Sequence, residues 1–140
     1  MKKVPLGITA GEFPSNEIYI RATVACIPTL TLTADSTGVK AYVRFRFSAK
    51  HVKQLILRTA VDSIPSDATV RVGLYNVTTG SWISYRDYSG AAGENEDTIT
   101  TLPSDGDVLE LRAEVTAASA TSGATFTLGY AALMVDYGVS

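Results

Sequence analysis

The sequence predicts an all-β protein, a two-sheet antiparallel β-sandwich of jelly-roll type with about eight or nine strands. Three observations predict it. Strict period-two alternation of apolar and polar residues recurs along the chain, most clearly at 40–48, 68–76 and 107–116. Turn signals separate these runs at intervals of about 8–12 residues. No segment sustains the i, i+3, i+4 pattern of an amphipathic helix. The chain has 140 residues, 46% of them hydrophobic, enough for one core without covalent staples.

The elements follow in order. Residues 1–17 read as an irregular N-terminal arm, with Pro5, Gly7, Gly11 and the turn signal Phe13-Pro14-Ser15-Asn16. The domain proper is expected over 18–140. Residues 18–27 alternate as a strand, Pro28 interrupts, and Leu30 and Leu32 alternate with threonines in a short second run. After the turn at 35–38, Val43, Phe45 and Phe47 share one face of a strand, while Tyr42, Arg44 and Arg46 share the other. In the next segment Val52, Leu55 and Ile56 would fit a turn or two of helix, but it is read as strand because extended sequence continues to Pro65.

Val70, Val72 and Leu74 then oppose Arg71, Gly73 and Tyr75. Thr78-Thr79-Gly80 closes a hairpin into an aromatic strand at 81–88. Residues 89–97 read as a loop and 98–102 as a short strand. Leu109, Leu111, Ala113 and Val115 point inward on the next, with Glu110, Arg112 and Glu114 expected on a solvated face. The closing strand, 124–137, changes phase between Phe126/Leu128/Tyr130 and Leu133/Val135/Tyr137, which predicts a bulge near Ala131-Ala132.

The chemistry-bearing residues are sparse. The net charge of −2 gives no basic footprint for nucleic acid. One histidine, His51, and one cysteine, Cys26, cannot build a zinc site or an intrachain disulfide. Cys26 is expected to be a buried small hydrophobe, and a Cys26–His51 dyad has no motif around it. No phosphate-cradling glycine motif is present, so no enzymatic activity is expected. No signal-peptide h-region follows Lys2 and Lys3, and no apolar run reaches about 18 residues, so membrane insertion is not expected.

Two groups could bind a ligand. Trp82, Tyr85 and Tyr88 cluster on one hairpin and could form a platform for sugar rings or a protein partner. Glu94, Glu96 and Asp97 gather carboxylates in the expected loop and could hold calcium, although they lack the spacing of a dedicated calcium loop. Asn76-Val77-Thr78 matches a glycosylation sequon, relevant only in a secretory pathway.

The run Val70-Arg71-Val72-Gly73-Leu74-Tyr75-Asn76-Val77-Thr78-Thr79-Gly80 resembles a phrase of small jelly-roll surface and virion proteins. The stretch Leu109-Glu110-Leu111-Arg112-Ala113-Glu114-Val115, with its long closing strand, is similar to the same group. The resemblance implies a subunit of the capsid, turret, decoration or fibre-head kind, or a carbohydrate-binding module, and brings no catalytic residues. It implies self-association as a homo-oligomer, contact with other virion or surface proteins, and a location on a virion or cell surface. The alternative it leaves open is glycan binding through the aromatic platform.

Overall fold

In the computed structural model, described for residues 9–12 and 18–139, the chain is an antiparallel β-sandwich. Its strands are β1 (Thr9–Glu12), β2 (Ile18–Ile27), β3 (Leu30–Thr33), β4 (Gly38–Arg46), β5 (Val52–Ser63), β6 (Thr69–Asn76), β7 (Ser81–Ser89), β8 (Gly93–Ile99), β9 (Val108–Ala117) and β10 (Thr125–Val139). One sheet runs β1-β2-β10-β5-β8, with β3 continuing beside β10 where β2 stops. The other runs β4-β9-β6-β7. No helix of the described residues is long and apolar enough to cross a membrane.

The pairings nest. β6 pairs with β7, β5 with β8, β4 with β9, and β2 plus β3 with β10. A long double hairpin rolled in this way is a jelly roll, as the sequence predicts. Within the stretch expected to be an irregular arm, Thr9–Glu12 form a short strand on β2. The rest of 1–17 lies outside the described residues.

The core lies between the sheets. Leu55, Leu57 and Val61 of β5 and Phe126, Leu128, Leu133 and Val135 of β10 meet Val70, Val72 and Leu74 of β6 and Leu109, Leu111, Ala113 and Val115 of β9. Alternation places each set inward, and burial of each aliphatic side chain stabilises the fold by about 1.5–3 kcal/mol. The phase change in β10 is present, centred on Gly129 rather than Ala131-Ala132. The register with β5 shifts between Leu128 and Tyr130, and Thr29 Oγ1 donates to the Gly129 carbonyl at 2.6 Å.

A second bulge changes the expected fate of Cys26. Leu133 faces Ala25 but Met134 faces Thr23, so Val24 is the extra residue in β2. Ala25 and Ile27 therefore take the inward phase and are buried, while Cys26 lies opposite Ala132 on the outer face and is exposed. His51 is well removed from it. The His51 carbonyl accepts from the Gly138 amide, six residues along β10 from Ala132, about 20 Å at the usual rise per strand residue. No dyad forms.

The acidic segment also departs from expectation. Residues 93–97, expected in the loop, join Thr98 and Ile99 in the edge strand β8, paired with β5, and the strand expected over 98–102 ends at Ile99. Glu94, Asn95, Glu96 and Asp97 carry few of the β-branched residues that mark strands, and the pairing with β5 overrides their weak propensity.

Candidate interaction face on the four-stranded sheet

The outer surface of β4-β9-β6-β7 gathers four aromatic side chains, Tyr42, Tyr75, Trp82 and Tyr85, and the arginines Arg44, Arg46, Arg71 and Arg112. Register sets the rows. Tyr42, Arg112, Gly73 and Tyr85 line up across the four strands, and beside them Arg44, Glu110, Tyr75 and Trp82. A third row joins Glu114, Arg71 and Asp87. Between Leu74 and Tyr75 the pairing with β7 skips Ile83. That bulge turns both Trp82 and Tyr85 outward although they are an odd number of residues apart.

Each outward ring meets a guanidinium. Arg112 lies 3.7 Å from the Tyr75 ring centroid and Arg71 lies 3.9 Å from that of Tyr85. Trp82 stands edge-on to both tyrosines, with centroids 5.3 and 5.6 Å away. The arginines are fixed in turn by carboxylates. Arg71 bonds both oxygens of Asp87 at 2.9 and 3.1 Å, and this hydrogen bonding raises its already high pKa.

Glu110 is the centre of the face. The sequence places it on a solvated surface, yet it is only 2% exposed. Arg44 donates to its Oε2 at 3.0 Å and Arg112 to its Oε1 at 2.9 Å. The long side chains of the neighbouring rows cover a carboxylate that alternation alone would leave in water, and two cations offset the desolvation. Gly73 is required by close approach: a Cβ there would lie 2.2 Å from the Ser84 carbonyl oxygen and 2.6 Å from Tyr85 Cα. At the two margins Tyr42 and Tyr85 stay exposed, at 59% and 46%.

Of the expected platform, Trp82 and Tyr85 belong to this face and Tyr88 does not. Tyr88 pairs with Val70 in the inward phase, is 5% exposed, and its hydroxyl lies 2.7 Å from Thr59 Oγ1. Burial pushes its phenol pKa up. Tyr75, Arg71 and Arg112 take part instead. The expected set omits them because pairing across strands, not proximity in sequence, brings them in.

The expected calcium ligands are separated by the pleat of β8. Glu96 is partnered with Arg58 on the outer face, whereas Asp97 turns inward and accepts a hydrogen bond from Ser84 of the opposite sheet. Glu94 shares the outer phase with Glu96. Among the described residues no group of three or more acidic, histidine or cysteine side chains converges as a metal cage. An open groove beside this strand, lined by Ile83, Asp97, Ile99 and Leu102, lies between β7 and β8. The sequon residue Asn76 is buried. Its amide donates to Asp107 at 2.8 Å and its carbonyl accepts from Thr79 N–H.

No protein-family model matches the chain, and no curated protein is similar to it. Among the solved structures to which the chain is similar at low identity are three. One is a chain of Bacillus endospore appendages, described as a novel family of disulfide-linked pili, with 11% identity, 89% of this chain and 91% of that chain covered, and a TM-score of 0.41. The second is the carbohydrate-binding module described as "BiXyn10A CBM1 APO", with 13% identity, coverage of 91% and 79%, and a TM-score of 0.36. The third is a chain of accessory secretory protein 1, 2 and 3 from Streptococcus pneumoniae, with 9% identity, coverage of 96% and 87%, and a TM-score of 0.34.

Proposed function

We propose that the protein is a non-enzymatic assembly subunit that associates with copies of itself through the outer surface and margin of the four-stranded sheet. The observation that supports this reading is the arginine–aromatic lattice. Tyr, Trp and Arg are the side chains that dominate binding energy where proteins meet, and here the lattice is pre-ordered by buried Glu110 and by Asp87. Pre-ordering lowers the entropy cost of association. A place on a virion or a cell-surface appendage, with other surface proteins as further partners, suits such a subunit.

Glycan binding is the second reading, favoured by the exposure of Tyr42 and Tyr85. Against it, sugar stacking needs open ring faces, and guanidinium groups already lie over Tyr75 and Tyr85. Light scattering across a concentration series separates the two. Self-association gives a mass at a multiple of 14.9 kDa that falls on dilution. A strict monomer at the highest soluble concentration, together with retention on a polysaccharide array, would replace the assembly reading with the glycan one.

A further inference from the structure

We propose that β4 pairs with β4 of a second copy of this chain, antiparallel about a two-fold axis at Val43, joining two four-stranded sheets edge to edge. The inference rests on the self-association reading and specifies its geometry.

Among the described residues β4 is bonded only to β9, and its other edge is open. The direction of its backbone groups follows from one end. Phe47 N–H donates to the Asp107 carbonyl and the Phe47 carbonyl accepts from Gly106, both at 2.8 Å. Phe47 thus turns its backbone groups toward β9. These groups alternate along a strand, and the register with β9 is unbroken from Ala41 to Arg46. Val43 and Phe45 therefore also bond β9, while Tyr42, Arg44 and Arg46 present N–H and C=O to the open edge.

Charge then selects the register. A two-fold at Arg44 sets that arginine against its own copy. A two-fold at Tyr42 sets Arg44 against Lys40. At Val43, Tyr42 faces Arg44 of the second copy and Arg44 faces the second Tyr42, twice over. The face already sets guanidinium on ring between neighbouring strands, there on the diagonal, at Arg112–Tyr75 and Arg71–Tyr85. Tyr42, exposed at the margin, is where that alternation stops. On the inner side Val43 meets its copy and Ala41 meets Phe45, all half-buried residues packed on the core. The remaining like-charged pair, Arg46 with Lys40, is drawn apart: Arg46 donates to the Gly106 carbonyl and Lys40 to Ser36. The β8 edge is different. Its run of Glu94, Glu96 and Asp97 would set acid near acid in a self-pairing, which blocks it.

The test uses the full chain. A two-fold residue in a non-hydrogen-bonded antiparallel pair has its Cα about 4.5 Å from its copy, within the span of about 4.4–6.8 Å that a disulfide bridges. Val43→Cys in a Cys26→Ser background is expected to run as a covalent dimer after mild oxidation. Tyr42→Lys in the natural sequence sets lysine against arginine at two places. It is expected to raise the dissociation constant at least tenfold in light scattering, with melting unchanged, whereas Thr23→Lys, at an exposed position of β2 in the other sheet, leaves that constant within threefold. If the natural chain associates but Tyr42→Lys does not weaken it, or a folded Val43→Cys stays monomeric, the β4 contact is wrong and self-association stands elsewhere. Should Val43→Cys fail to fold, Tyr42→Lys decides alone. A monomeric natural chain overturns both.

Discussion

Replacing Glu110 with Gln tests whether the outer face is held from within. Glu110 is almost fully buried and accepts from two guanidinium groups. A hydrogen bond to a charged group contributes about 1.5–3 kcal/mol. The Arg44 share must be discounted, because its side chain is 55% exposed and rehydrates when its partner goes. The Arg112 share is retained more fully. That side chain is 16% exposed, its other acid, Glu114, is 3.6 Å away, and its guanidinium rests on Tyr75. The expected net loss is about 2 kcal/mol for Glu110→Gln, below the roughly 3–5 kcal/mol of a fully buried pair broken on one side. For a domain of this size that lowers Tm by about 6–10 °C. Urea titration with a thermal melt provides the measurement, and adding Arg112→Met to Glu110→Gln should cost less than Arg112→Met alone. A loss under about 0.5 kcal/mol, the range of ordinary surface changes, would refute the idea that Glu110 anchors the face.

Three further outcomes are expected. Gly73→Ala drives a methyl into the backbone of β7 and should destabilise by about 1–3 kcal/mol; calorimetry showing an unchanged melt would mean that the strands part freely. Trp82→Ala should lower Tm as well as any association, because the indole packs edge-on between two tyrosines, whereas a purely ligand-facing Trp82 would leave the melt untouched. Asp136 is buried, which pushes its carboxyl pKa up, but hydrogen bonds from Arg21 and Gln54 and the Arg21 charge outweigh burial and hold it below its ordinary value. Its stabilising contribution is therefore complete above the unfolded-chain pKa of about 3.9 and fades as pH falls through the lower folded value. Stability measured against pH should lose part of its acid-side slope in Asp136→Asn, and an identical profile would discount the cluster.

The fold was legible because most strands carry one apolar phase. The alternation at Val70-Val72-Leu74 and at Leu109-Leu111-Ala113-Val115 places those residues in the core as observed. Bulges broke the reading elsewhere. The extra residue at Val24 exposes Cys26, and the skipped Ile83 turns Trp82 and Tyr85 to one side while Tyr88 stays inside. Edge pairing did the same for residues 93–97, whose composition suits a loop but which β5 recruits into its sheet. The candidate face was half legible. Trp82 and Tyr85 stand out by residue type, but Glu110, Arg112, Arg71 and Tyr75 converge only through cross-strand register, which a single sequence does not carry.

The nesting of the strands also governs when the molecule can form. β10 lies between β2 and β5, so Ile27 pairs with Ala131, and Leu57, on its β10 side, with Leu133. A chain still emerging from the ribosome has no seat for β2 beside β5 until β10 is free. Folding then waits on pairing between distant segments, with the slow kinetics of high contact order, milliseconds to seconds. A chain that stops short of β10 leaves β2 and β5 each with a bare edge, so premature termination or C-terminal trimming would yield aggregation rather than a smaller stable domain.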